Sequence, residues 1–109
     1  MLVFVEGQQI FRTIGDIKQF FSVEKYAAEF KQVEGKADSY FFVLASPYDI
    51  VATDVYCFVK RHSNWHMFIK AHLFDTPGFD EKVKFQVDGD FVDVVCKGVV
   101  IIKLNAPKW

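Results

Sequence analysis

From residue 39 to the C-terminus the apolar pattern runs at period two and never returns to a helical spacing. A period of two places successive side chains on opposite faces of a strand, so most of this chain is committed to β-structure. The stretches "SYFFVLA" (39–45), "IVATDVYCFVK" (50–60) and "WHMFIKAHLF" (65–74) read as strands, with "SPYD" as the turn after the first. "DTPGFDE" reads as a loop, in which Pro77-Gly78 is turn chemistry. "VKFQV" (83–87) then leads into Asp88-Gly89, a strong hairpin dipeptide. "FVDVVC" and "VVIIKL" follow as strands, separated at Lys97-Gly98 by a tight turn or a bulge.

The first third reads differently. "LVFV" (2–5) is a short strand and "EGQQ" a turn. Thr13 is placed to cap a helix, with Asp16 three residues on in the capping-box position. Ile14, Ile17, Phe20 and Phe21 follow at helical spacing. Ser22 is placed to cap a further helical segment carrying Val23, Tyr26, Ala27, Phe30 and Val33, with Gly35 as its C-terminal cap. A helical segment followed by a meander predicts an α+β fold: one domain over 1–109, with the N-terminal helical segment packed on a curved, mainly antiparallel β-meander of about five to six strands. In element order and length this resembles the broad cystatin-like or nuclear-transport-factor-like architecture. That resemblance implies a helix on a curved sheet and no particular activity.

The three histidines all fall within "HSNWHMFIKAHLF" (62–74). A three-residue loop, His62-Ser63-Asn64, predicts Val59 opposite Met67, Cys57 opposite Ile69 and Val55 opposite Ala71, keeping apolar rows together. The second face then holds Phe58 opposite Phe68, Tyr56 opposite Lys70, Asp54 opposite His72, and Lys60 near His66. An aspartate beside a histidine is the orienting half of a general-base dyad, and a lysine beside a tyrosine can acidify its phenol. The same pairs also arise wherever polar and charged residues alternate on a half-solvated sheet face. No nucleophile, P-loop or dinucleotide motif accompanies them, which favours a non-catalytic reading. His66 and His72 lie about 20 Å apart along a strand and cannot share an ion. His62 and His66 could, with an acid from elsewhere, but three convergent ligands are not visible, so no metal or other cofactor is expected.

The thirteen phenylalanines constrain more than the histidines do. Tyr56, Phe58, Phe68 and Phe74 share the second face, and Phe41 and Val43 join them if Leu44 pairs with Val51. So many large apolar groups on one face must be covered by the helix, by a second subunit, or by a sheet curled around a pocket. The candidate ligand- or partner-binding residues are therefore Phe41, Tyr56, Phe58, His66, Phe68, Lys70, His72 and Phe74.

The expected function is a small non-catalytic binding domain. It is a homodimer through the aromatic face, or it encloses a small apolar ligand. One alternative is a pocket-type enzyme using Asp54 and His72 with Tyr56 and Lys70. Another is an accessory protein that binds and blocks a second protein. Thirteen basic and fourteen acidic residues are scattered without a run of like charge, giving a net charge of −1 and no nucleic-acid footprint. "MLVFVEGQQIFR" lacks a positive n-region, so no secretory signal is expected, and no apolar run approaches a membrane span. Cys57 and Cys96, far apart and flanked by apolar residues, read as buried free thiols in a cytoplasmic protein. A C-terminal "NAPKW" is expected to tuck Trp109 back over the fold.

Overall fold

The computed structural model describes residues 3–4, 10–35, 38–47, 52–74, 83–89 and 91–105. The expected turns at 6–9 and 48–49, the loop at 75–81, the tail at 106–109 and Val51 lie outside them. One short helix and nine strands make up the described chain: β1 Val3–Phe4, β2 Ile10–Phe11, α1 Ile14–Val23, β3 Tyr26–Glu34, β4 Ser39–Pro47, β5 Thr53–Arg61, β6 Asn64–Phe74, β7 Val83–Asp88, β8 Phe91–Cys96 and β9 Val99–Asn105. All strand pairing is antiparallel. The fold is broadly α+β, as expected, but the strands form two sheets rather than one meander of five to six. The larger runs β1-β6-β5-β4-β3, with β2 also on β6, and the smaller runs β7-β8-β9.

Thr13 caps α1 as its sequence position requires. It is extended (φ −136°, ψ 160°), and its hydroxyl accepts from the Asp16 N–H at 3.1 Å. Ile17 and Phe21, one turn apart, are the buried face of the helix. The helix stops at Glu24, whose N–H returns to the Phe20 carbonyl at 3.0 Å, and Lys25 then takes φ 60°. The second helical segment expected over 23–33 does not form. Tyr26, Ala28 and Phe30 also satisfy period two, and all nine residues of β3 pair with β4. A continuous ladder outweighs a short apolar stripe that fits either period. Gly35 is accordingly no helix cap. It lies in the β3–β4 connection, where a Cβ would meet the Tyr40 ring at 3.0 Å, the Asp38 carbonyl at 3.1 Å and Val87 at 3.2 Å.

The β5–β6 turn also differs from expectation. It has two residues, His62 and Ser63, at φ 53° and 67°, so that Arg61 opposes Asn64. Near the turn the register is one residue off the predicted one, with Val59 opposite His66 and Phe58 opposite Met67. A bulge at Phe68 then absorbs the difference. Beyond it Cys57 faces Ile69, Tyr56 faces Lys70, Val55 faces Ala71 and Asp54 faces His72, as the alternation predicts. On the other side Leu44 opposes Val55 rather than Val51. The offset is an even number of residues, so Phe41 and Val43 still fall on the Tyr56–Phe58 face.

Both faces of the central strands are buried, and each has its own cover. Under α1, Ile17 and Phe21 pack on Phe41, Val43, Tyr56, Phe58, Trp65 and Met67. On the opposite face, Val92, Val94 and Ile102 of the small sheet pack on Phe42, Val55, Cys57, Val59 and Ile69. The strands after residue 80 therefore neither extend nor close the large sheet. They roof its aliphatic face.

Candidate functional site

The edge between α1 and the large sheet is where the aromatic residues converge. The bulge at Phe68 returns Lys70 and His72 to the face that carries Trp65 and Met67, so Lys70 lies beside Tyr56 beneath the helix. Phe20 and Phe21 come down from α1, and Phe11 from β2 closes the side. Phe21 meets Tyr56 edge to face with centroids 4.8 Å apart, and Phe11 meets Phe20 at 5.6 Å and Phe58 at 5.7 Å in the same manner. Between these rings lies a cleft of about 270 Å³, walled by Phe11, Phe20, Phe21, Tyr26, Tyr56 and Phe58, floored by Met67 and bordered by Lys70. The Lys70 ammonium stands 5.8 Å from the Tyr56 ring centroid.

Electrostatics in the cleft run against an acidified tyrosine. Burial, followed by the hydrogen bond with Tyr26, pushes the Tyr56 phenol well above its ordinary value. Ionisation of Tyr56 is thereby disfavoured, and the phenol stays a neutral hydrogen-bonding group on the cleft wall. One step further along each strand, Asp54 Oδ1 and His72 Nδ1 are 3.0 Å apart. This pair is more open, with side chains 21% and 43% exposed, and the carboxylate fixes the ring's orientation.

Of the candidate residues, Tyr56, Phe58 and Lys70 line the cleft, and His72 continues the same face. Phe41 is on that face too, but buried beneath Phe30, on which it stacks at 5.8 Å. Phe68 and His66 do not join them. The bulge turns Phe68 into the core between the sheets, 6.2 Å from the Tyr40 ring. His66 opposes Val59 near the hairpin end, with Nε2 3.1 Å from the Arg61 carbonyl oxygen. Phe74 pairs with Thr53 at the end of β6, and its side chain lies outside the described part. The rings expected to meet a second subunit, Phe41, Tyr56 and Phe58, are 3%, 5% and 1% exposed within one chain.

Sequence reasoning missed Phe11, Phe20, Phe21, Tyr26 and Met67 as cleft residues. Phe20 and Phe21 carried a usable signal, since two adjacent rings on a short helix are more than one buried stripe needs. Met67 had none, because its face depends on the bulge. Among the described residues no group of three or more His, Cys, Asp or Glu is arranged to hold a metal ion. No helix among them is long and apolar enough to cross a membrane. Cys57 and Cys96 are both buried free thiols. No family model, curated protein or solved structure matches the chain.

Proposed function

We propose that this chain is a non-catalytic cytoplasmic binding module for a small, flat, apolar molecule carrying an anionic group. The observation that carries this reading is the cleft of about 270 Å³ in which six aromatic rings surround a space that Lys70 borders. Rings offer edge and face contacts to a planar ligand, and one charge placed at the margin fixes its orientation. The volume suits a one- or two-ring compound. The buried Tyr56 phenol, its ionisation disfavoured, offers a ligand a hydrogen-bonding group on the cleft wall.

The test is an amide NMR titration with naphthoate, alongside its neutral analogue naphthalenemethanol. Saturable shifts confined to α1, Tyr26, Tyr56 and Phe58 are expected, with naphthoate bound more tightly and Lys70→Met abolishing that preference. Shifts scattered over the surface, or equal affinity for the two probes, would sink the reading. The Asp54–His72 contact at 3.0 Å favours a second reading, a small pocket-type enzyme. Under it, His72→Ala abolishes turnover of a bound compound while leaving naphthoate affinity unchanged.

A further inference from the structure

β3 is the outermost strand of the large sheet, and among the described residues nothing pairs with its outer edge. Its inner edge pairs with β4 at every one of nine positions, from Tyr26↔Pro47 to Glu34↔Ser39, so the outer edge is long and regular. Proteins usually blunt such an edge with like-charged side chains, lysines above all, a bulge, a proline or a covering segment. The exposed charges at the middle of this strand, Glu29 and Lys31, are of opposite sign. Here it forms the floor of a groove of about 690 Å³, flanked by Lys18 of α1 and by Val83, Lys84 and Phe85 of β7. Phe30, at the centre of the strand, is 36% exposed although its ring stacks on Phe41.

We propose that two copies of this chain pair antiparallel through β3, about a two-fold axis beside Phe30. Only alternate residues of an edge strand turn their N–H and C=O outward, so a symmetric pair must be centred on a residue and not between two. Three centres then compete. Centring on Glu29 sets two carboxylates face to face, and centring on Lys31 does the same with two ammoniums. Centring on Phe30 places Glu29 of each copy opposite Lys31 of the other, giving two opposite-charge pairs on one face of the joined sheet. Both residues are exposed and therefore available.

On the other face, Phe30 meets Phe30 of the second copy, removing the largest exposed ring of the edge from water. The same register sets Tyr26 and Ala28 opposite Glu34 and Gln32. Lys18 shares a surface hollow with Tyr26, Ala28 and Phe30, so it comes to face Glu34 of the second copy. The strand is thus complementary to itself in one register and repulsive in the two nearest ones. The interface is isologous, and it leaves the cleft beneath α1 untouched.

The experiment is light scattering on the full chain with single and compensating charge reversals. Wild type is expected as a dimer. Glu29→Lys places two lysines opposite each other, as Lys31→Glu places two glutamates, and each should raise the dimer dissociation constant by at least about tenfold. The double variant E29K/K31E should restore the dimer. Circular dichroism melts confirm that all four proteins fold. A wild type that stays monomeric at its highest soluble concentration overturns the proposal. So does a dimer indifferent to the single reversals, or a double variant that fails to recover. Capture by β3 of an extended segment from another protein, with the wild type itself monomeric, would assign the edge to that partner instead.

Discussion

Phe42 of β4 and Phe85 of β7 stack across the interface between the two sheets, with ring centroids 4.5 Å apart and planes 5° from parallel. Phe42 is fully buried, whereas Phe85 is only partly so. Phe42→Ala should cost about 3–5 kcal/mol, by lost burial and the cavity left behind. Phe85→Ala should cost less, about 2–3 kcal/mol, because its site already opens toward water. A double-mutant cycle by urea unfolding should show a coupling of about 1 kcal/mol. Strict additivity would mean that the stacking itself contributes nothing.

The buried Tyr56 phenol gives an alkaline signature. Its pKa is raised above the ordinary 10.0 by burial first and the Tyr26 hydrogen bond second. The unfolded chain ionises this phenol near pH 10 and the folded chain does not, so unfolding above that pH releases a proton. The Tyr56 contribution to stability is therefore level below about pH 10 and declines as the pH rises past it. The difference in phenolate absorbance between wild type and Tyr56→Phe should stay flat until the protein unfolds. An ionisation of Tyr56 in the folded protein near its ordinary value would contradict this.

Cys57 lies at 0% exposure in the core between the sheets, and burial pushes its thiol well above the ordinary range. Thiolate is the reactive species, so the folded protein should not be modified at this position. In a Cys96→Ser background, labelling by an aromatic disulfide reagent should follow the rate of opening and rise with denaturant. Rapid labelling without denaturant would show that this core is open.

Asp38 and Arg61 join the β3–β4 connection to the end of the β5–β6 hairpin. Arg61 Nη2 donates to Asp38 Oδ2 at 2.7 Å and Nε to Oδ1 at 3.2 Å, with both side chains mostly buried. A two-pronged, charge-assisted contact of this kind resists salt. Asp38→Ala should cost about 1–2 kcal/mol. Arg61→Lys should recover only part of that, because an ammonium cannot reproduce the planar fork. Full recovery in thermal melts would reduce the contact to simple charge attraction.

The candidate site was half legible in the residues. Tyr56, Lys70, Asp54 and His72 were placed on one face by alternation alone, and the structure keeps them there. Their pairings match the alternation because the bulge at Phe68 offsets the shorter turn and keeps the apolar rows beyond it together. Phe68 and His66 were misplaced for one reason: two non-glycine residues take left-handed turn geometry, and a bulge compensates for the shortened loop. Neither feature has a local signature, since His62-Ser63 is not a typical turn pair and an apolar strand conceals where it bulges. Phe11 was invisible because it acts through its position against Phe20 and Phe58.

By itself, the sequence determined what is local. The Thr13 cap and the Ile17–Phe21 spacing specify α1, the glycines at 89 and 98 accommodate positive φ in the small-sheet turns, and period two commits the chain beyond residue 39 to strands. The abundance of phenylalanine required cover for the sheet. Only the tertiary structure decided what supplies it. Tyr26–Glu34 fit a helical stripe and a strand equally well until β4 offered nine backbone pairings. The two faces of the large sheet were both apolar enough to need burial, and the choice of α1 for one and β7–β9 for the other rests on which surfaces fit. Local rules act through a few neighbouring residues, whereas the cover of a sheet is settled by non-local burial and pairing that no short window of sequence contains.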